Sequence, residues 1–327
     1  MSSIEEFSRW IKQNNLNIPT DCERLKNLSL LDLSKKKLRE LPPSIGALEN
    51  LNVLKLSNNR LKSLPSSIGN LKRLRNLQCE NNLLENLPDT IGEAQNLVII
   101  NLNGNRLKSL PESFYTLTKL TRITIAANWL EALSPKLQNL NKLLYLSLDT
   151  NNLTHLPDVF GGMKALYYLD LSYNQLTTLP PSIGRIEELE TLLLEGNEIN
   201  NLPSLQSHDM LIRLNLNDNH LKTIDFELSQ LEDLQILTLD NNALTHLPPS
   251  ICSLQNLAHL SVSGNALQEL PPCIGELKKL VELDVEDNLL TTLPPSITQL
   301  KLKNLYIDHN HNLKRPSIPS LEFCDVE

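Results

Sequence analysis

Of the 327 residues, 74 are Leu and 37 are Asn, whereas Phe, Trp and Tyr together supply only 4%. With 40% hydrophobic residues the chain is too apolar for disorder, yet its longest apolar runs, such as Leu97-Val98-Ile99-Ile100, fall far short of the ~20 residues of a membrane-spanning helix. Thirty Lys and Arg against 38 Asp and Glu give a formal charge of −8, which argues against nonspecific binding to nucleic acid or to an anionic membrane, and the short apolar runs predict no transmembrane segment.

At the N-terminus, Glu5 and Glu6 stand where an export signal needs basic and then apolar residues, so no Sec-type signal is expected. Ser3-Ile4-Glu5-Glu6 has the form of a capping box, and Ile4, Phe7, Trp10 and Ile11 share one face at helical spacing. The spacing predicts an amphipathic helix over 3–14 that lids the first turn of the chain beyond it, with Trp10 either part of the lid or an anchor for a partner. Ile18-Pro19, Cys22 and Leu25 then form half of a unit that recurs in full from Leu28 onward.

The full unit is L-x-x-L-x-L-x-x-N-x-L-x-x-L-P. It starts at Leu28, Leu51, Leu74, Leu97, Leu120, Leu143, Leu166, Leu189, Leu211, Leu234, Leu257, Leu280 and Leu302, in steps of 23 residues with two steps of 22. In Leu51-Asn52-Val53-Leu54-Lys55-Leu56, Leu54 and Leu56 fall on one face of a short strand and Val53, Lys55 and Ser57 on the other. One such strand per turn predicts a stacked parallel sheet backed by leucine. Asn59 recurs in every later unit up to Asn310, and Lys36 alone interrupts it; a buried amide there satisfies backbone where the chain leaves the strand. Leu64-Pro65 and its equivalents fix φ as the chain turns to the outer side. At the C-terminal end, Ile318, Leu321 and Phe323 are expected to cover the last leucines.

These motifs resemble the leucine-rich-repeat family in its 23-residue L-P-x-x-I-G form, shared by Ras-suppressor and Scribble-like proteins and by bacterial effectors. The resemblance spans about nine tenths of the chain. It implies an α/β solenoid, a horseshoe with a concave parallel β-sheet of short strands and a convex side of turns and short 3-10 or helical segments. The expected divisions are an N-terminal cap over 1–27, thirteen leucine-rich repeats over 28–313 and a C-terminal cap or tail over 314–327. Only about fourteen residues follow Leu313, too few for the ubiquitin-ligase domain that some bacterial members carry.

Signatures of chemistry are missing or weak. Gly161-Gly162 lacks any phosphate-loop spacing, and His155 and His246 stand four turns apart, ~19 Å at strand spacing. Asp308-His309-Asn310-His311 is one exposed turn, in which Asn310 is already committed to the amide series. The five cysteines, Cys22, Cys79, Cys252, Cys273 and Cys324, are odd in number and lack CxxC spacing, so neither a disulfide framework nor zinc is expected and a reducing, cytoplasmic compartment is the default. No catalytic residue, cofactor or metal is predicted.

Binding residues are sought between the inner leucines. Twelve acids and four bases occupy those places, a difference equal to the whole net charge of −8. The acids include Asp149, Asp170, Glu195, Asp240 and Glu286, which predicts a protein partner with a basic patch. Tyr145, Tyr168 and Tyr173 cluster at these places, bracketed by Arg122 and Arg213, and Trp129 follows the amide residue Asn128 on the rim. Ser134-Pro135 and the small Ala126 and Ala127 predict a shallow recess beside them. The sequence is therefore expected to encode a non-enzymatic, monomeric protein-binding scaffold or inhibitor, such as a bacterial effector acting in a host cell. The alternative is a recruiter to an acidic protein or phosphoinositide surface through the basic ridge Lys35, Lys36, Lys37, Arg39, Arg60, Lys62, Arg106 and Lys108.

Overall fold

The computed structural model describes residues 2–205, 208–225, 228–310, 313 and 315–325. It falls into two compact units, Met1–Leu153 and Thr154–Glu327. The first unit opens with helix α1 (Ser3–Gln13) and the single turn α2 (Cys22–Lys26). Ser2 rather than Ser3 caps α1, with its backbone N–H donating to the Glu5 carboxylate at 2.8 Å, one residue earlier than the sequence pattern suggests. Ile4, Phe7 and Ile11 are buried, and Trp10 is half-buried with its ring stacked on Phe7 at 5.6 Å. The helix thereby packs its apolar stripe on the outer turn Pro43–Ala47.

Strands β1 (Leu30–Asp32), β2 (Val53–Lys55), β3 (Asn76–Gln78), β4 (Ile99–Asn101), β5 (Arg122–Thr124) and β6 (Tyr145–Ser147) pair in parallel in sequence order within this unit. The second unit repeats the scheme with β7 (Tyr168–Asp170), β8 (Thr191–Leu193), β9 (Arg213–Asn215), β10 (Ile236–Thr238), β11 (His259–Ser261), β12 (Glu282–Asp284), β13 (Asn304–Tyr306) and β14 (Phe323–Asp325). Each strand is three residues long because only its middle side chain enters the core. Leu54, Leu77 and Leu214, for example, are fully buried at that place. Short 3-10 turns such as Ser66–Asn70 return the chain, most of them led by a proline with φ near −65°, as at Pro65 and Pro111 (φ −67 and −64).

The amide series is buried and multiply bonded. Asn105 Nδ2 donates to the carbonyls of Leu102, in its own turn, and Cys79, in the turn before, at 2.9 and 3.0 Å; its Oδ1 accepts from Leu84 N–H at 2.9 Å. Asn219 does the same in the second unit with Leu216, Leu194 and Ile199. One side chain thus satisfies backbone groups of two successive turns. Lys36 stands in the first repeat, where no earlier repeat strand offers groups to an amide; its own backbone N–H instead donates to Asn59.

A left-handed residue follows each of the strands β1 to β13 by three places: Lys35, Asn58, Asn81, Gly104, Ala127 and Thr150 in the first unit, and Tyr173, Gly196, Asp218, Asn241, Gly264, Asp287 and His309 in the second; after β1, Lys37 is left-handed as well. Asn, Asp and Gly predominate there because they tolerate positive φ best.

Three expectations are corrected. Phe323 does not cover the last leucines: β14 adds a strand in register with β13, which sets Cys324 opposite Leu305 on the inner side and leaves Phe323 49% exposed, its ring against Tyr306. Ala126 is buried but Ala127 is exposed in the left-handed position, so the two do not line a recess together. Cys252 and Cys273 form a disulfide. The departure at Ser134 also has a physical reason. Tyr115 replaces the usual outer glycine, and its hydroxyl accepts from the Ser134 N–H at 3.2 Å, a donor that the usual proline lacks.

Removing one amide orphans backbone groups in two turns, so Asn105→Ala should cost roughly 3 kcal/mol or more in urea unfolding; a loss under about 0.5 kcal/mol would refute the account. His208 occupies an outer leucine place, fully buried, with Nδ1 donating to the Ile186 carbonyl at 2.9 Å. Burial chiefly lowers its pKa below the ordinary 6.5. Its contribution is therefore intact above that value and is lost as pH falls through the depressed folded pKa. Thermal midpoints measured from pH 7.5 to 5 should fall less steeply for His208→Leu than for the parent chain.

Candidate functional site

In the first unit, the β5–β6 register sets Arg122 beside Tyr145. The exposed guanidinium lies 3.9 Å from the half-buried ring, a close cation–π stack. Trp129 is 45% exposed, with the Arg106 guanidinium 5.8 Å from its ring. Asp149 is half-buried and accepts from the Ser147 hydroxyl at 2.7 Å, which fixes its carboxylate at the end of β6. The Arg122–Tyr145 stack and the fixed Asp149 carboxylate form the first unit's candidate patch, and the Arg106–Trp129 pair is a separate exposed feature.

In the second unit, Tyr168 is half-buried on β7 and donates its hydroxyl to Asp170 at 3.3 Å, while Asp170 also accepts from the Ser172 N–H at 3.1 Å. Tyr173 differs from both strand tyrosines. It takes the left-handed place (φ 53), is 52% exposed, and donates its hydroxyl to Glu195 in a short hydrogen bond. That bond holds the phenol's pKa up at about 12. Its ring lies over Gly196, where an added Cβ would meet the ring carbon Cδ1 at 2.5 Å and Cε1 at 2.9 Å. Only glycine admits the ring in that pose. The other Glu195 oxygen accepts from Asn215 Nδ2 at 2.9 Å, which extends the network to β9. Arg213 is exposed on the same strand, in register with Thr191 and Ile236, hence two strands from Tyr168 and ~10 Å away at ordinary spacing.

The predicted acids do not all serve alike. Asp240 is half-buried and accepts from the Ser261 hydroxyl and the Ser263 N–H; burial raises its pKa. Burial also raises Asp284, to about 6. Glu286 shares a hydrogen bond with Asp325, which together with burial and neighbouring carboxylates lifts it to about 8. Asp325, whose carboxylate also accepts from the Ile307 N–H at 2.7 Å, was not among the expected site residues. No repeat position flagged it, because it follows the last recognisable unit. The Tyr173–Gly196 contact had a faint sequence signal, since Gly104, Gly196 and Gly264 share one repeat position.

Of the turn Asp308-His309-Asn310-His311, His311 lies outside the described residues, as do Val326 and Glu327 of the acidic tail. Among the described residues no group of three or more His, Cys, Asp or Glu is arranged to hold a metal, and no helix is long and apolar enough to cross a membrane. The basic ridge borders a cleft of about 590 Å³ in the first unit, lined by Trp10, Lys36, Lys37, Arg39 and Glu40 among others.

Family models described as leucine rich repeat match residues 118–176, 141–199 and 232–290, and, in a second form, 50–71 and 96–117. No curated protein sequence matches the chain. Among solved structures, a leucine-rich-repeat protein of Leptospira interrogans is 31% identical, over 93% of this chain and 97% of its own, with a TM-score of 0.66. The leucine-rich effector YopM of Yersinia pestis is 27% identical over 99% of both chains, with a TM-score of 0.66. The plant peptide hormone receptor RGFR1, solved in complex with RGF2, is 29% identical over 90% of this chain and 54% of its own, with a TM-score of 0.72. With repeat models along both units and a relative of nearly equal span, the chain belongs to the leucine-rich-repeat family.

Proposed function

We propose that the chain is a non-enzymatic protein-binding module that holds its partner on the strand-bearing face of its repeats and acts by covering part of that partner's surface. The observation that carries this reading is Tyr173. A bulky residue in the left-handed region costs of order 1–3 kcal/mol. Here the cost serves to present an aromatic ring half to solvent, seated on Gly196 and tied to Glu195. A pre-ordered tyrosine loses little entropy on binding, as does the Arg122–Tyr145 stack in the first unit. Asp149, Asp170 and Glu195, each oriented by hydrogen bonds, supply acceptors for a basic patch on the partner. The likeness to YopM and to the Leptospira protein supports a bacterial origin and an effector-like role. The receptor solved with RGF2 is a precedent for a repeat protein that takes a polypeptide ligand.

A second reading rests on the cleft beside α1, where Trp10 faces Lys36, Lys37 and Arg39. It makes the chain a recruiter to acidic protein or phosphoinositide surfaces. Affinity capture with the parent chain, with Tyr168→Ala/Tyr173→Ala and with Lys36→Glu/Lys37→Glu separates the readings. The tyrosine variant should lose its partner at least tenfold by quantitative mass spectrometry, and the lysine variant should keep it. The reverse result, together with loss of sedimentation on phosphoinositide vesicles by the lysine variant alone, would replace the first reading by the second.

A further inference from the structure

The outer turns share the segment Pro-x-Ser-Ile-Gly, as in Pro65-Ser66-Ser67-Ile68-Gly69. The structure shows why its last residue is glycine. A Cβ built on Gly46 would stand 2.7 Å from the Cβ of Ser67 in the next turn; at Gly92 the distance to Ser113 is 2.8 Å, and at Gly275 that to Ser296 is 2.9 Å. At these junctions the glycine abuts the serine of the next turn, its carbonyl oxygen as well as its Cβ, too closely for a second side chain. At one junction both residues change together. Pro248-Pro249-Ser250-Ile251-Cys252 has Cys in the glycine's place, and Pro271-Pro272-Cys273-Ile274-Gly275, one turn later, has Cys in the serine's place. Their Cα atoms are 5.9 Å apart, within the range a disulfide requires, and the two sulfurs are bonded. A cysteine in the glycine's place alone would bring an unbonded side chain into a contact that excludes one. The pair turns that contact into a covalent link.

We infer that Cys252 and Cys273 are an oxidation site built into the repeat register, and that the chain reaches its full stability only where a disulfide oxidant such as glutathione disulfide is available. Cys273 is half-exposed and Cys252 is 4% exposed, which sets the order of events. The Cys273 thiolate attacks one sulfur of the oxidant and expels the first glutathione thiolate, leaving a mixed disulfide. The Cys252 thiolate then attacks the Cys273 sulfur and expels the second. The two protons from the protein thiols end on the two glutathiones, so the protein loses two electrons and the oxidant gains them. Cys79, sealed in the core with its thiol pKa pushed up by burial, takes no part, and Cys22 and Cys324 remain free thiols.

The test uses the full chain, reduced and then incubated with glutathione disulfide, trapped by alkylation and mapped by mass spectrometry. The expected product is a linked peptide pair holding Cys252 and Cys273, lighter by two hydrogens than the reduced form. Cys252→Ala should instead accumulate glutathione on Cys273, and Cys273→Ala should leave Cys252 slow to react. In thermal unfolding, reductant should lower the midpoint of the parent chain by about 5 °C. It should leave unchanged the midpoint of Cys252→Gly/Cys273→Ser, which restores the neighbouring Gly–Ser junction and so keeps the fold. Persistent alkylation of both Cys252 and Cys273 after incubation, or a parent midpoint indifferent to reductant, overturns the inference.

Discussion

A stack of turns holds only if each turn leaves its strand at the same angle and height as the one before, and the buried asparagine amide enforces this. Its two donors and its acceptor are spent on backbone of its own turn and of the turn before, as with Asn105 on Leu102, Cys79 and Leu84. Leucine burial supplies the gross stabilisation, but it is non-directional and would tolerate a slip; the amide would not. With the strand exits locked, the residues between the inner leucines are released from packing duty and free to carry recognition.

The same lock explains what was legible in the sequence. Inner leucines, amides and Leu-Pro turns recur at fixed intervals, so the stacked strands, the turn to the outer side and the helix over the first turn could be read from spacing, while the 3-10 form of the outer segments came with the family resemblance. The left-handed residue after each strand was harder to see, because Lys35, Ala127, Thr150 and Tyr173 disguise a place otherwise held by Asn, Asp and Gly. Phe323 was misplaced because a strand without the repeat motif gives no phase, and β14 is known only from its pairing with β13. The site was legible as a set of residue types but not as geometry. Arg122 on Tyr145, and Tyr173 on Gly196, depend on contacts across turns that no single unit displays.

Three of the departures from the motif are coupled pairs, one residue in each of two successive turns. Tyr115 replaces a glycine and Ser134 a proline, and the hydroxyl of the one accepts from the backbone of the other. Cys252 and Cys273 replace a glycine and a serine and are bonded. Gly196 makes room for Tyr173. In a periodic scaffold a side chain's nearest foreign neighbour is its own equivalent one turn on, so an isolated change meets a clash or an orphaned group and a matched change does not.

Lys36 bears on how such an array can lengthen over generations. Gene duplication inserts copies of existing units, and an interior copy brings an amide that serves the unit ahead of it wherever it lands. A copy of the first unit brings lysine instead, so placed between two others it would leave the carbonyls and N–H groups upstream without their usual ties. Copies of interior units thus preserve the ties between neighbours, and a copy of the leading unit does not.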